Sequence, residues 1–342
     1  MTGRPTPPPL KAWLAEDGGR AASGTDFFRS TGFLAAEGTT HSLLIRQPGE
    51  GPGPDGGHVV ASAPLLVREI PGSDRSDAIS PYGYPGMTIA DHPPEGPVLP
   101  IDPATIDFSA TGLVSIFLRH SLDGPPPIAG ATARNICLLS DPSLPRKSRA
   151  SDRQQIRKNL KLGFELEITP GPKTTKAQRS GFLTAYTETM ARTGAADRYF
   201  FSESYFEQIL SAADTWLFLL RAPQGEPHPA GERPVAAASI AVLSDGLLHY
   251  YLSGTADAHL KGAPMKNVVE EMIGFAGERE LALNLGGGIT PGDALEEFKR
   301  GFANREEQWF TSEIICDPEA STALTAELAP DGDPGFFPPY RA

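Results

Sequence analysis

TWLFLLRAPQGEPHPAGERPVAAASIAVLSDGLLHYYLSGT, residues 215–255, decides the fold. It holds three apolar runs, 215–222, 234–244 and 246–255. Asp245–Gly246 separates the last two, and such a pair suits a two-residue turn with both φ angles positive, so a hairpin is expected. Upstream, TKAQRSGFLTAYTETMARTGA (175–195) puts Phe182, Leu183, Tyr186, Thr189 and Met190 on one helical face. SESYFEQILSAA (202–213) reads as a second helix with Ser202 as its N-cap. Downstream come a helix opened by Pro264 (264–280), a buried strand LALNLGGG (281–288), a short helix DALEEFKRGF (293–302) and a closing strand EQWFTSEIIC (307–316). The order is ααβββαβαβ: two helices, an antiparallel meander, then a helix after the central strand.

Working outward, PRKSRASDRQQIRKNLKLG (145–163) is the most basic segment, with a helix capped by Ser151 or Asp152 and ended by Gly163. FELEIT (164–169) reads as a strand and PGPKTT (170–175) as a boundary. The first half is a looser β-rich pattern. SLLIRQ (42–47) and HVVASAPLLVREI (58–70, one strand or two joined at Pro64) flank a turn cluster at 51–57 and suggest a hairpin. GLVSIFLR (112–119) and NICLLS (135–140) are further strands, and TDFFRSTGFL (25–34) has helical spacing. The expected class is α+β, as two tandem domains, each a mixed, mainly antiparallel sheet flanked by helices. The expected limits are a flexible arm at 1–24, a first domain at 25–150, a basic connecting helix and strand at 151–172, a second domain at 173–320 and a tail at 321–342.

Composition narrows the function. The net charge of −12 argues against a nonspecific nucleic-acid coat, while leaving room for a local basic channel. Two cysteines, Cys137 and Cys316, make neither a disulfide framework nor a zinc pattern, and both are expected to be buried free thiols; no metal site is expected. No run of about 18 apolar residues and no apolar leader is visible, so a cytoplasmic protein without membrane insertion is expected. P-loop, GxSxG and HExxH motifs are absent.

Four segments, in order, resemble the Fem-type aminoacyl-tRNA-dependent peptidyltransferases of the GNAT superfamily. IRKNLKLGFELEI (156–168) resembles the helix and strand leaving the first half, and 182–210 the paired helices opening the second. HYYLSGT and LKGAPMKNVVEEMI (249–273) resemble the donor-side strand, loop and helix; LNLGGGITPGDALEEFKRGF (283–302) resembles the strand, Gly-rich turn and Phe-Lys element. The likeness covers residues 25–320. It implies tandem GNAT-like domains, acceptor side first and catalytic donor side second. It also implies transfer of an aminoacyl group to an amine of a small molecule or peptide, in natural-product tailoring or on a cell-wall peptide. No bound cofactor is implied; the co-substrate is aminoacyl-tRNA, held at its 3′ end, by a protein expected to be monomeric. The long charged heptad insertion of some members is missing, so the resemblance is to compact ones. SPYGYPG (80–86) is similar in style to broader GNAT acyltransferases, which keeps acyl-CoA open as the donor.

Lys299 is the first catalytic candidate, with Phe298 beside it. The resemblance gives Lys299 the developing negative charge on the donor ester and Phe298 a place near the terminal adenosine. The alternative is a solvated lysine paired with Glu296. Lys261, Gly262 and Lys266, where a loop opens a helix, are donor-binding candidates, because helix N-termini favour phosphates; Arg300 joins them. Tyr82 and Tyr84, presented by Gly83 and Gly86, and the strand neighbours His249 and Tyr250 are acceptor-side candidates. Arg153, Arg157, Lys158 and Lys161 form a basic helix face for RNA phosphates, or simply a solvated one.

Overall fold

In this computed structural model, residues 9–49, 57–90, 99–122, 124–225, 233–333 and 335–342 are described. The chain forms two compact units: residues 1–134 with 309–342, and residues 135–308. Most of the turn cluster read at 51–57 lies outside the described residues.

Unit 1 contains β1 (Leu10–Ala15), α1 (Thr31–Ala36), β2 (His41–Gln47), β3 (His58–Glu69), β4 (Ser76–Ile79), β5 (Thr88–Ile89), β6 (Ile106–Asp107) and β7 (Leu113–Arg119). Its strands run β6-β1-β2-β3-β4-β7, with β5 beside β3. The pairs β1/β6 and β4/β7 are parallel and the rest antiparallel. Leu43, Ile45, Val60, Leu65 and Ile116 form its dry core. Pro64 does not divide β3; it sits opposite Ser42 and the strand continues through it. The helix expected at 25–34 is a short 3₁₀ turn, Phe27–Arg29, followed by α1, which Ser30 caps.

Two expectations for the ends need correction. Residues 10–15 were expected in a flexible arm, yet β1 pairs with both β2 and β6. Its apolar positions explain this: Ala12 is buried, and Trp13 lies under the Arg46 guanidinium at 5.4 Å. The tail at 321–342 is anchored rather than loose. After α7 (Pro318–Leu328), Tyr340 is buried and shares a 2.6 Å hydrogen bond with the Ser115 hydroxyl. Arg341 Nε donates to the fully buried Asp77 at 2.6 Å, and Arg68 Nε holds the same carboxylate at 2.9 Å.

β8 (Thr132–Ser140) carries the chain into unit 2. There follow α2 (Ala150–Leu162), β9 (Glu165–Pro170), α3 (Lys176–Thr193), α4 (Glu203–Leu210), β10 (Thr215–Arg221), β11 (Val235–Ser244), β12 (Leu247–Thr255), α5 (Met265–Gly277), β13 (Ala282–Asn284) and α6 (Ala294–Arg300). The strand order is β8-β13-β12-β11-β10-β9, with only β12/β13 parallel. The hairpin forms as read, with Asp245 at φ 51 and Gly246 at φ 71. Ser202 caps α4 by accepting from the Tyr205 N–H at 3.2 Å. Val268, Val269 and Met272 of α5 pack on Phe218, Leu220 and Leu248 of the sheet. α3 covers β11 and β12, and closely: a Cβ at Gly254 would lie 2.3 Å from the Ala185 carbonyl.

β14 (Arg305–Ile315) returns the chain to unit 1, where residues 311–315 pair antiparallel with β7. The units therefore divide at 134/135 and 308/309, whereas the sequence suggested limits at 150 and 320. Strand continuity is the reason: β8 and β14 each run across a boundary that composition does not mark. Among the described residues no helix is long and apolar enough to cross a membrane, and no cluster of His, Cys, Asp and Glu could hold a metal.

Candidate active site

The candidate site in unit 2 is built where two strands end. β12 carries a bulge: Ile240 faces Leu252 and Ala241 faces Tyr250, so Tyr251 is the extra residue. Its hydroxyl meets that of Tyr205 at 2.7 Å. Bulges recur beside active sites because they re-aim the strand. β12 then enters a 3₁₀ turn (Asp257–Gly262) and α5. β13 leads into the Gly-rich turn and α6.

Lys299 lies on α6 and is only 7% exposed. Its Nζ donates to the Gly287 carbonyl at 2.6 Å. Burial pulls its pKa from 10.5 to about 8, and Cys137 and Asp293 offset part of that. The alternative of a solvated lysine paired with Glu296 does not hold: Glu296 accepts from the Gly292 N–H at 2.8 Å and pairs with Arg300 at 2.6 Å. Lys299 is thus a desolvated cation, largely protonated at neutral pH, and its hydrogen bond runs to a neutral carbonyl. Such a group can stabilise an oxyanion or give up its proton at small cost.

The Gly-rich turn holds that carbonyl in place. Gly286 has φ +71, outside the range comfortable for a side chain. A Cβ on Gly287 would fall 2.7 Å from both the Asn135 amide nitrogen and the Ile136 carbonyl. Asn135 Nδ2 donates to the Gly288 carbonyl at 3.0 Å. Asp293 caps α6 through the Glu296 N–H and also accepts from the Ile289 N–H, at 2.7 Å each.

The other candidates divide. Phe298 packs on the core with its ring 5.5 Å from that of Phe302. Arg300, expected to bind donor, is held by Glu296 and Glu306. Lys266, expected to meet phosphate, pairs with Asp152 at 2.7 Å. Asp152 does not cap α2, because the helix begins one turn early with Arg149 at its N-cap. Instead its carboxylate lies between the Lys266 ammonium and Gly301, whose Cβ would be 2.9 Å from it. Asp152 thereby ties the first turn of α5 to α2 and packs against the end of α6.

Gly262 is clasped from α2. Its carbonyl accepts from Asn159 at 2.9 Å and Gln155 at 3.1 Å, and Asn159 also donates to Asn267 at 2.7 Å. The next residue, Ala263, is left-handed at φ 43. Few N–H groups remain for an anion at this turn. Pro264 has none, and those of Ala263, Lys266 and Asn267 turn back to the carbonyls of Leu260, Ala263 and Pro264 at 3.0–3.1 Å. Lys261 is exposed, as are Arg153, Arg157, Lys158 and Lys161 on the outer face of α2.

His249 is a structural residue. It is 2% exposed, its Nε2 donates to the Ser244 carbonyl at 3.3 Å, and its Nδ1 accepts from Asn284 at 3.1 Å. Burial lowers its pKa to about 4, so it is neutral with its lone pair engaged, and it is not placed to take a proton from an acceptor. Burial pushes the Tyr250 hydroxyl up to about 12, which removes it as a base near neutrality. Tyr82 and Tyr84 belong to unit 1. Tyr84 packs edge-on between Phe28 and Trp309 at 5.5 and 5.9 Å, whereas Tyr82 is 36% exposed. Cys137 is buried and Cys316 half-buried, and neither forms a disulfide.

Three cavities are described in unit 2, of about 270, 260 and 390 Å³. The first lies against Arg146, Glu270 and Gly274; Lys299 lines none of the three.

Residues 146–300 match the family of the acetyltransferase (GNAT) domain. The fold is similar to that in the crystal structure of FemX, with a TM-score of 0.55 and 13% identity over 82% of this chain and 89% of that one. It is also similar to L-PGS from Bacillus licheniformis (TM-score 0.49, 12% identity, 80% and 87% covered). A third is a tandem GNAT protein from the clavulanic acid biosynthesis pathway (TM-score 0.43, 12% identity, 89% and 98% covered). No curated protein matches the sequence.

Proposed function

As an acyltransferase with a GNAT domain at residues 146–300 and the fold of FemX, the protein, we propose, moves an aminoacyl group from aminoacyl-tRNA to an amine. The acceptor is a small molecule or peptide, and the product is an amide. The carrying observation is Lys299, a buried ammonium hydrogen-bonded to a neutral carbonyl at the end of a rigid glycine turn. An aminoacyl ester is already activated, so the enzyme's task is to hold it and to stabilise the charge formed on attack. Lys299 supplies that charge. As the amine attacks, negative charge gathers on the ester carbonyl oxygen, and Nζ donates to it. When the intermediate collapses, the C–O bond to the tRNA breaks, the proton shed by the attacking nitrogen ends on the departing 3′ oxygen as a free hydroxyl, and the amide carbonyl re-forms.

The turn before α5 favours RNA over CoA as the donor. The backbone donors of Ala263, Lys266 and Asn267 are spent on carbonyls and Lys266 is neutralised by Asp152, a poor cradle for a pyrophosphate. Exposed Arg157, Lys158 and Lys161 on α2, by contrast, suit a phosphate chain. The match to an acetyltransferase domain supports the second reading, transfer from acyl-CoA.

The test is release of free tRNA from a panel of charged tRNAs, with an amine mixture as acceptor and acyl-CoA thioesters in parallel. Acceptor-dependent tRNA release that is lost in Lys299→Ala supports the proposal. Turnover of thioesters alone moves the donor assignment to CoA, and full activity in Lys299→Ala removes Lys299 from the chemistry.

A further inference from the structure

We propose that Asn135 is a positioning residue for Lys299, acting through the Gly287 carbonyl, and that it tunes the lysine without touching substrate. The inference rests on Lys299 as the charge-stabilising group.

Asn135 begins the unit 2 part of β8 and is followed there by the apolar run Ile136–Leu139. Both ends of its amide are used. Nδ2 donates to the Gly288 carbonyl at 3.0 Å, and Oδ1 accepts from the Ile136 N–H at 2.8 Å. Its Nδ2 fills the space where a Cβ on Gly287 would be, at 2.7 Å. The strand behind it completes the grip: the Leu138 N–H donates to the Gly286 carbonyl at 3.2 Å, and the Leu285 N–H to the Leu138 carbonyl at 2.8 Å. The peptide whose oxygen receives Lys299 Nζ is thus wedged between Asn135 on one side and the α6 cap on the other. Asn135 is the side chain of β8 that holds this peptide, through the next carbonyl along, that of Gly288.

A carbonyl oxygen aimed at an ammonium favours its charged form, and a loosened one favours it less. The titratable groups acting on Nζ are Cys137 of β8 and Asp293 at the head of α6, and neither changes when Asn135 is replaced. Asn135→Ala therefore lowers the pKa of Lys299. Asn135→Asp keeps the acceptor for Ile136 but adds a carboxylate beside the turn, so it raises that pKa. Opposite shifts from two substitutions at one position separate electrostatic positioning from loss of packing, which would act alike in both.

The experiment is competitive labelling of the protein, residues 1–342, with acetic anhydride across pH 6–11, read by mass spectrometry on the peptide that carries Lys299. Midpoints displaced downward by half a pH unit or more in Asn135→Ala, and upward by as much in Asn135→Asp, are expected. The alkaline limb of turnover, measured as tRNA release, should move with them. Midpoints that stay at the wild-type value, or move the same way in both variants, overturn the inference. Should Asn135→Ala fail to fold, Asn135→Asp and Asn135→Ser decide it, the serine variant being expected to lie between alanine and wild type. Displaced labelling midpoints beside an unmoved turnover limb reject Lys299 as the reacting group, and Asn135 then has no part in the chemistry.

Discussion

Replacing Lys299 by methionine should change how stability depends on pH, in an amount that follows from burial alone. In the unfolded chain the lysine takes its proton near its ordinary value of 10.5, and in the folded unit near 8. Between those values the unfolded state binds more protons, so stability rises with pH. The contribution is complete above 10.5 and is lost as pH falls through 8. At about 1.4 kcal/mol per unit, the span is worth about 3 kcal/mol, of which roughly 2–3 kcal/mol falls between pH 7 and pH 10. Methionine has nearly the same reach and no proton to bind. It leaves the Gly287 carbonyl without its ammonium, a cost that does not vary with pH and cancels from the comparison. Urea unfolding of both proteins at pH 7, 8, 9 and 10, followed by far-ultraviolet circular dichroism, should show the methionine variant gaining on wild type as the pH falls. The expected gain is about 2 kcal/mol. Curves that run parallel within about 0.5 kcal/mol would mean that water reaches Nζ, and the case for a desolvated catalytic cation would fall.

Turnover should decline above pH 8 with an apparent midpoint near the Lys299 value of about 8, a drop of about tenfold by pH 9 from that at pH 7, and the decline should vanish in Lys299→Arg if arginine supports any activity. His120 and His249 are both buried and held near 4, so each contributes stability that is complete above 6.5 and lost as pH falls to 4. The loss is about 3 kcal/mol per histidine, and His249→Gln should flatten that part of a stability–pH curve. Arg341→Ala should cost unit 1 somewhat less than the roughly 3–5 kcal/mol of a broken buried pair, because Arg68 still faces Asp77; an unchanged melting temperature would count against that anchor. Replacing Arg157 and Lys161 together by glutamate should weaken tRNA binding and reduce its log–log salt slope by about 0.7–0.9 for each phosphate no longer neutralised, whereas an unchanged slope returns α2 to a plain solvated face.

The second half was legible because its signals are local. The Asp245–Gly246 pair, the Ser202 cap and the 3.6-residue spacing in α3 each depend on a few neighbours, and each formed as read. Lys299 was legible only through resemblance; a lysine in EEFKRGF looks solvated until Gly287 is known to stand over it. What could not be read were the partnerships across the chain. Asn135, Asn159 and Asn284 are polar residues in apolar or basic runs, and nothing nearby in sequence names the carbonyl or ring that satisfies each. The same holds for Asp152, whose partner Lys266 lies more than a hundred residues away, and for Trp13, which gains its place from Arg46. Charges such as Arg300 and Lys266 looked available because pairing is a property of the fold.

The path of the chain has a consequence for its birth. Unit 2 is one uninterrupted segment, residues 135–308, whereas unit 1 lacks the strand beside β7 and the arginine opposite Asp77 until residues 309–342 have been made. On the ribosome unit 2 can therefore close first, and unit 1 must wait, its sheet edge and a buried carboxylate uncovered, until residues 309–342 have emerged. For these two units the usual order of vectorial folding runs backwards, and slow decoding of residues 309–342 would prolong the interval in which unit 1 can misfold.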